Sequence, residues 1–334
     1  MNNAAAANLE PILEVKDLVK HFVRSGNWPW QPNRVIRAVD GISFKLLPGS
    51  TLALVGESGC GKSTTAKLIL QLLEPDSGDI RLDGESVARP NKGVLTRLRR
   101  NAQMVFQDPY ASLTPHLRIG VILREPFLVK GVRPRLEIGE RIKDVLTAVG
   151  LDPDIAQRFP HELSGGQRQR VGIARAIASE PRLIVCDEPV SALDVSVRSQ
   201  IINLLLDLQK SRGLAYLFIS HDLDLVAHVS DAVAVMYLGR IVEQAPAATF
   251  FAQPRHPYSQ ALLASSPVPD PGKRTKPAIR GEIAAGAELG AGCRFRNRCP
   301  LAVGRCAEAE PELRSIVDNH VVACHRAEET ALRI

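Results

Sequence analysis

The sequence Gly56-Glu57-Ser58-Gly59-Cys60-Gly61-Lys62-Ser63-Thr64 decides the fold of this chain. An apolar run at 51–55 predicts a buried strand before it, and residues 62–73 carry apolar side chains at helical spacing after it. The stretch therefore has the pattern G-x-x-x-x-G-K-S in the strand–loop–helix setting of a phosphate-binding loop. The alternative is an ordinary glycine turn before a helix, and the agreement of motif and setting argues against it. The sequence predicts that these nine residues bind a nucleoside triphosphate.

Each residue type in this loop suits a phosphate ligand. Glycines let backbone N–H groups turn toward phosphate oxygens, and a helix N-terminus adds the positive end of its dipole. Lys62 would reach the β- and γ-phosphates, and Ser63 would hold a Mg²⁺ ion that bridges them.

A second motif places two acids at the end of a predicted strand. The apolar run at 183–186 is followed by Asp187 and Glu188. Ligands of doubly wound sheets bind at the carboxyl ends of the strands, so the run would bring both carboxylates to that edge. We expect Asp187 to hold Mg²⁺ through water, and Glu188 to act as the general base on the attacking water. Two acids after a strand are otherwise typical of a helix cap or a solvated strand end.

Composition limits the class of protein. The 334 residues suit one large domain with an appendage, or two domains, and 45% of them are hydrophobic. The net charge is +6, but the basic residues are scattered, which favours a surface near anionic lipid over a nucleic-acid partner. The sequence has no apolar run long enough to span a membrane and no secretory signal, so we expect a cytoplasmic protein.

The remaining periodicity predicts an α/β fold. Strands at 12–15 and 35–47 would form an N-terminal antiparallel β layer, interrupted by a turn-rich insertion that contains Trp28 and Trp30. Residues 1–10 are expected to be disordered, and residues 117–150 are mainly helical by periodicity. Further strands are predicted at 79–83, 102–106, 183–186 and 215–219, with a helix at 195–212. The last two strands and this helix make a βαβ unit and hence a parallel sheet. Together with the phosphate loop, this sheet predicts a phosphate-loop (RecA-like) ATPase core.

A third motif begins at Ser164. The run Ser164-Gly165-Gly166-Gln167 precedes a helix that alternates apolar and basic residues. Ser164 is a natural N-cap, and the glycines expose N–H groups to a second anion. Together with the phosphate loop and the paired acids, this run resembles the signature of the ATP-binding cassette (ABC) ATPases.

The resemblance covers about residues 10–245 and implies roles for further residues. Gln107 resembles the Q-loop glutamine that contacts metal and water, and Asp194 resembles the D-loop aspartate. His221 resembles the switch histidine at the γ-phosphate, and Phe22 resembles the aromatic that stacks on adenine. The family implies that the loop Ser164–Gly166 completes the site of an opposing subunit, with Gln167 also among the ATP-binding residues, so that two ATP molecules close a dimer head to tail.

The C-terminal region narrows the resemblance. The run Arg255-His256-Pro257-Tyr258 looks like a segment of the oligopeptide/dipeptide importer ATPases. That subfamily implies a second ATP-binding subunit, either a paralogue or a second copy, with two transmembrane permease subunits and an extracytoplasmic peptide-binding protein. It places the chain on the cytoplasmic face of the cell membrane as a peripheral subunit. A nickel or glutathione importer shares these features, and a non-transport ABC ATPase is the remaining alternative.

Four of the six cysteines lie late in the chain, at Cys293, Cys299, Cys306 and Cys324. The spacing lacks the C-x-x-C knuckles of structural zinc, and a disulfide is disfavoured in a reducing cytoplasm. By spacing alone, zinc and a four-thiolate iron–sulfur cluster stay open. The resemblance to peptide-importer ATPases favours a [4Fe-4S] cluster, with zinc as the alternative.

These motifs predict a division of the chain into two domains. Residues 1–245 would form the nucleotide-binding domain, with an inserted helical subdomain at about 110–180. Residues 246–334 would form a small cysteine-containing tail domain.

Overall fold

The computed structural model of the chain describes residues 10–24, 34–131, 135–265 and 290–332. Two sequence predictions concern residues outside these ranges. The N-terminal segment expected to be disordered includes residues 1–9, and Trp28 and Trp30 fall within 25–33.

The strands of the described ranges follow the predicted α/β pattern. They are β1 (Leu13–Arg24), β2 (Arg34–Leu46), β3 (Thr51–Val55), β4 (Ser77–Leu82), β5 (Glu85–Ser86), β6 (Ala102–Val105), β7 (Leu183–Asp187), β8 (Ala215–Ser220), β9 (Ala232–Tyr237), β10 (Arg240–Pro246), β11 (Arg314–Val317) and β12 (His320–Val322).

The helices include the one that follows the phosphate loop and the one that begins after Ser164. They are α1 (Lys62–Ile69), α2 (Lys92–Asn101), α3 (Pro109–Ser112), α4 (Ile119–Val129), α5 (Arg135–Ala148), α6 (Gly165–Ala178), α7 (Val195–Arg212), α8 (Leu223–Val229), α9 (Ala247–Ala252), α10 (Pro257–Ser265) and α11 (Arg305–Glu308). Short 3₁₀ turns occupy Pro153–Gln157, Pro160–Glu162 and Glu329–Leu332. Within the described ranges, no helix has the length and apolar content to cross a bilayer.

Contacts group the described residues into two compact units. The first unit contains residues 10–13, Leu46–Ser50 and Leu82–Phe218. The second unit contains Glu14–Lys45, Thr51–Arg81 and Ile219–Ile334 within the described ranges. The predicted domain boundary between 245 and 246 stays a prediction.

The first unit contains parallel strands and the helices around Ser164. Strands β8, β7 and β6 are neighbours in that order, and β6 pairs with β7 in parallel from Ala102↔Leu183 to Val105↔Cys186. Every residue of β7 is buried, as its apolar sequence predicts. Helices α3, α4, α5 and α7 pack against α6. Helix α7 ends at Arg212 and is followed by Gly213, whose positive φ of 64° forms a left-handed C-cap.

The second unit contains two groups of strands. Strands β2, β1 and β4 are neighbours in the N-terminal antiparallel sheet, and β11, β12, β10, β9 and β3 follow one another in the core sheet. Strand β3 pairs with β9 in parallel, whereas β10 pairs antiparallel with both β9 and β12. Residues of the predicted tail therefore extend the sheet at β10 through the pairs Glu243↔Val322 and Gln244↔Val321.

An apolar core in the second unit joins the tail to this sheet. It contains Val55 of β3, Val235 of β9, Phe250 of α9 and Tyr258 of α10, together with Phe295. Cys293 and Cys299 pack at its edge. The cysteine region is thus supported by the same core as the strand that precedes the phosphate loop.

Candidate nucleotide site and four-cysteine pocket

The phosphate loop has a backbone that its glycines alone permit. Gly56, Gly59 and Gly61 have positive φ values of 149°, 80° and 115°. A Cβ added to Gly56 would overlap the carbonyl oxygen of Met236, and one added to Gly61 would overlap the carbonyl oxygen of Ala38. Gly61 is also the N-cap of α1 and has no side chain to cap it. The N–H groups of the first helical turn are therefore available to an anion.

Lys62 lies inside this loop. Its side chain is buried, and its Nζ donates hydrogen bonds to the carbonyl oxygens of Gly56 at 2.7 Å and Glu57 at 2.9 Å. The ammonium is thereby held over the loop by neutral acceptors. Phosphate oxygens are stronger, charged acceptors for the same donor, so they can replace the two carbonyls when a nucleotide binds.

In the first unit, the structure brings two predicted catalytic residues together. The amide Nε2 of Gln107 donates to Oε2 of Glu188 at 3.1 Å. Glu188 has a φ of 48°, an uncommon conformation for a residue with a side chain. It follows Asp187, the buried last residue of β7. Unusual backbone at a carboxylate that already has a polar partner is typical of a functional site.

The predicted signature residues begin α6. Ser164 accepts a hydrogen bond from the N–H of Gln167 at 3.3 Å, and the Gln167 side chain accepts from the N–H of Ser164 at 3.0 Å, which makes a capping box. Ser164 and Gly165 are exposed. A Cβ on Gly166 would lie 2.7 Å from Cγ1 of Val197, so Val197 of α7 would have to shift to accept a side chain there. Asp194 is the N-cap of α7.

Two predicted ATP contacts lie in the second unit. Phe22 on β1 is 38% exposed and lies beneath the ammonium of Lys20, 5.8 Å from the ring centroid. It is outside the core, so its ring is accessible for stacking. His221 is exposed and follows β8 directly. The roles of Phe22 and His221, like those of the other assigned site residues, remain predictions.

Two residues of the tail contact the phosphate loop, and the sequence analysis missed both roles. The backbone N–H of Glu57 donates to the hydroxyl of Tyr258 at 2.8 Å. The carboxylate of Glu57 accepts from both terminal nitrogens of Arg298 at 2.9 Å each. Sequence separations of 201 and 241 residues leave no local pattern to reveal these contacts.

A buried carboxylate fixes the start of the tail. Glu243 on β10 accepts from the N–H of Arg255 at 2.6 Å and from the N–H of His256 at 2.8 Å. Its third partner is Nε2 of His320 at 2.7 Å. His256 is fully buried, and this burial lowers its pKa to about 4. The Arg255–Tyr258 run recognised in the sequence is thus bound to β10 through Glu243, and this attachment fixes the position of Tyr258.

The four late cysteines line one small pocket. Its walls also include Phe295 and Arg326, and the N–H of Cys293 donates to the carbonyl oxygen of Cys306 at 2.8 Å. Burial raises the pKa of Cys293 and Cys299, and raises that of Cys324 to about 11. Neighbouring cysteines raise these values further, as expected for thiols that lie close together.

The donor chemistry of this pocket fits a four-thiolate group, because all four cysteines line it and all four are free thiols. The side chains are not arranged as a metal site, however. Among the described residues, no group of three or more His, Cys, Asp or Glu side chains could hold a metal ion as placed. Ligation would require the sulfurs to turn toward a common centre.

A phosphate loop before a helix, together with a strand-end glutamate bound by a glutamine, defines a phosphate-loop ATPase. Comparison with known families makes this specific. Residues 39–191 match the family "ABC transporter", and residues 242–306 match "Oligopeptide/dipeptide transporter, C-terminal region".

Curated relatives match over nearly the whole chain. A probable peptide ABC transporter ATP-binding protein, y4tS, from Sinorhizobium fredii is 49% identical over 97% of this chain and 93% of its own length. The oligopeptide transport ATP-binding protein AppF of Bacillus subtilis is 47% identical over 96% and 98%. The di/tripeptide transport ATP-binding protein DppF of Pseudomonas aeruginosa is 46% identical over 96% and 99%.

Solved structures share the fold. The ATP-binding cassette MJ0796, as a post-hydrolysis dimer bound to ADP and Pi, has a TM-score of 0.62 and 27% identity, covering 70% of this chain and 98% of that one. The protein cbiO1 from Clostridium perfringens, part of the ABC transporter complex cbiONQ, has a TM-score of 0.62 and 31% identity over 73% and 91%.

This chain belongs to the ABC transporter family of ATPases. It is a nucleotide-hydrolysing subunit whose ligand is ATP, which such sites typically bind with Mg²⁺. The predicted α/β fold with its antiparallel N-terminal sheet is confirmed, and so is the enzyme class, whereas the cysteine-containing tail domain stays a prediction. None of these comparisons supports the predicted iron–sulfur cluster.

Proposed function

We propose that this chain is the ATP-hydrolysing subunit of an importer for dipeptides or oligopeptides. The observation that supports peptides as the transported substrate is the match of residues 242–306 to the C-terminal region of oligopeptide/dipeptide transporters. The names of the relatives agree, since all three that we cite refer to peptides. They favour peptide over nickel or glutathione.

The chemistry follows from the two groups of site residues. Residues 56–64 hold the phosphates, with Lys62 as the cation that meets the γ-phosphate. Ser63 and Gln107 would hold Mg²⁺ directly and Asp187 would hold it through water, and the ion would neutralise charge on the phosphates. Glu188 takes a proton from the attacking water, and its hydrogen bond to Gln107 orients the carboxylate for that task. His221 contacts the γ-phosphate, and Phe22 stacks on adenine.

A second subunit completes each site. The exposed N-terminus of α6 at Ser164 and Gly165 presents N–H groups to the nucleotide of a partner ATPase. Asp194, the N-cap of α7, acts as the D-loop aspartate. ATP closes the dimer because only ATP offers a γ-phosphate to both subunits. Hydrolysis removes that shared contact and lets the dimer open.

We place the closed dimer on two transmembrane permease subunits at the cytoplasmic face of the cell membrane. An extracytoplasmic binding protein would deliver the peptide. The second ATPase subunit is a paralogue or a copy of this chain. In this arrangement the chain contacts neither nucleic acid nor cargo.

The catalytic assignment is tested by Glu188→Gln. We expect ATP binding to be retained and phosphate release to fall by about 10²–10⁴-fold, the usual contribution of a general base. Glu180→Gln is the matched control, because Glu180 is an acid of the same unit that is paired with Lys130. Binding is measured with a fluorescent ATP analogue and turnover by phosphate release. Normal turnover in Glu188→Gln would overturn the assignment.

The cargo is tested in proteoliposomes that contain this subunit with its permease partners and binding protein. We expect ATP-dependent uptake of labelled dipeptides and oligopeptides. Uptake of nickel or glutathione instead of peptide would contradict the cargo and leave the ATPase assignment intact.

We further propose that Cys293, Cys299, Cys306 and Cys324 hold a [4Fe-4S] cluster. Support comes from their common pocket, which provides four thiols within one small volume. When bound, the cluster would crosslink three segments of the tail. Zinc is the alternative for the same four thiolates.

This proposal is tested on protein purified without oxygen. Iron, sulfide and zinc are quantified, and a visible spectrum is recorded. We expect about four irons per chain and a broad band near ~400 nm, both lost on Cys→Ser at each of the four positions. Cys60→Ser, outside the pocket, should keep the iron. One zinc without iron would contradict the cluster.

A further inference from the structure

Glu57 stands at the junction between the phosphate loop and the C-terminal tail. Its carboxylate forms a bidentate pair with Arg298, whose side chain is only 11% exposed. Paired N–H···O bonds from one guanidinium fix the plane of the carboxylate as well as its position. An isolated surface pair would leave both side chains free to reorient.

The backbone of Glu57 is held as well. Its N–H is bound by the hydroxyl of Tyr258, and its carbonyl oxygen accepts from Nζ of Lys62. Two hydrogen bonds, both through the backbone of Glu57, therefore connect Tyr258 of the tail to the Lys62 ammonium, which we assign to the γ-phosphate. The carbonyl oxygen of Glu57 is one of the acceptors that Lys62 gives up when nucleotide binds. A shift of Glu57 therefore changes the strength of this hydrogen bond.

The two tail residues are themselves rigidly placed. Phe295 packs edge-on to Tyr237 at 5.3 Å between ring centroids and lies 5.4 Å from the ring of Tyr258. The N–H of Arg298 donates to the carbonyl oxygen of Phe295 at 3.0 Å, so Arg298 projects from a turn anchored by that ring. Tyr237 also accepts from the Arg298 guanidinium at 3.4 Å.

We propose that Arg298 and Tyr258 are positioning residues for ATP binding, through which the tail sets the conformation of the phosphate loop at Glu57. They do not touch the nucleotide. Their effect on affinity arises because the loop conformation that binds ATP is stabilised before ATP arrives. The inference rests on the proposed assignment of residues 56–64 as the phosphate site.

The first test separates affinity from turnover in the full-length chain. For Arg298→Ala we expect the Kd for Mg²⁺–ATP and the KM to rise about tenfold, with kcat within about twofold of the unchanged chain. Arg298→Lys keeps the charge but can offer only a single ammonium, so it should restore part of the affinity. Tyr258→Phe should weaken binding by a smaller factor, because the ring packing stays.

Arg314→Ala is the matched control. Arg314 belongs to the tail and pairs with Glu328 in an exposed ion pair, and it also donates to the carbonyl oxygen of Cys324. We expect unchanged Kd and KM. If Arg298 only stabilises the tail, Arg298→Ala will lower the melting temperature and the active fraction, and hence kcat, without changing KM. That result would overturn the proposal.

A double-mutant cycle tests the route through Glu57. If Arg298 acts by holding Glu57, then Arg298→Ala should add no further loss of affinity in a Glu57→Gln background. Full additivity would contradict this route. Lys62→Ala serves as the reference for the site itself. If Lys62→Ala retains ATP binding, the assignment of the loop fails, whereas loss in Lys62→Ala with none in Arg298→Ala refutes the positioning role alone.

Discussion

The phosphate loop and the four-cysteine pocket are both turn-rich sites in the second unit, but different forces shape them. The loop is made of consecutive residues whose backbone leaves no room for a Cβ at Gly56 or Gly61. The pocket collects side chains from four segments of the tail, at 256–257, 293–301, 306 and 324–326, and the tail beside it depends on ion pairs such as that of Arg294 with Glu310. The loop should therefore be destabilised by substitutions that add a side-chain atom. The region of the pocket should instead be destabilised by substitutions that remove an interaction partner.

The largest effect is expected for Gly61→Ala. The new Cβ would overlap the carbonyl oxygen of Ala38 at a φ of 115°, so we expect about 3 kcal/mol or more of destabilisation and loss of ATP binding. Gly59→Ala is the matched control: φ is also positive at 80°, but among the described residues no heavy atom beyond the two chain neighbours lies within 4 Å of the added Cβ. It should cost only about 1–2 kcal/mol.

Urea unfolding and ATP binding of these two variants measure the difference. Equal losses in Gly59→Ala and Gly61→Ala would show that positive φ alone, rather than crowding, limits the loop. The explanation of the loop by steric crowding would then be wrong.

A smaller effect is expected where the tail meets β2. Arg294 has a side chain only 6% exposed and pairs with Asp40, which also binds Nε2 of His21 at 2.9 Å. These partners overcome the cost of burial and lower the pKa of Asp40 to about 2 from its usual 3.8. At pH 7 we expect Asp40→Asn to cost about 1–3 kcal/mol, because a buried guanidinium loses a charged partner.

The pH dependence of this effect follows from the direction of the shift. A carboxyl with a lowered folded-state pKa stabilises the fold fully above pH 3.8, and this contribution disappears as the pH falls toward 2. The difference in unfolding free energy between the original chain and Asp40→Asn should thus shrink below about pH 4. Glu328→Gln is the control: its pKa is also lowered to about 2, but the side chain is 57% exposed, so little change is expected. Equal effects at pH 7 and pH 3 for Asp40→Asn would contradict the ion-pair explanation.

The sequence predicted local structure well where one segment contains its own signal. The strand at 51–55 and the helix at 195–212 agree with β3 and α7, because a fully buried strand and a capped amphipathic helix each leave a local pattern. The catalytic roles of Gln107 and Glu188 stay predictions, although the structure places Nε2 of Gln107 3.1 Å from Oε2 of Glu188.

Elements that depend on distant partners were missed or shortened. Strand β1 was predicted over 12–15, whereas it extends from Leu13 to Arg24 through polar residues that pair with neighbouring strands. Strand β12 has only three residues and forms by pairing with β10 and β11. The contacts of Arg298 and Tyr258 with Glu57 belong to this class as well. They need the folded core before they exist, so no window of sequence contains them.

The pair between Glu57 and Arg298 has a consequence for evolution and for engineering. Position 57 is one of the variable positions of the G-x-x-x-x-G-K-S pattern, yet in this chain its side chain is paired with Arg298, which lies 241 positions away. The two positions should therefore change together among relatives. A chimera with a foreign C-terminal tail therefore needs a residue at 57 that can pair with the residue at 298 of that tail. Otherwise its phosphate loop loses the ion pair between Glu57 and Arg298.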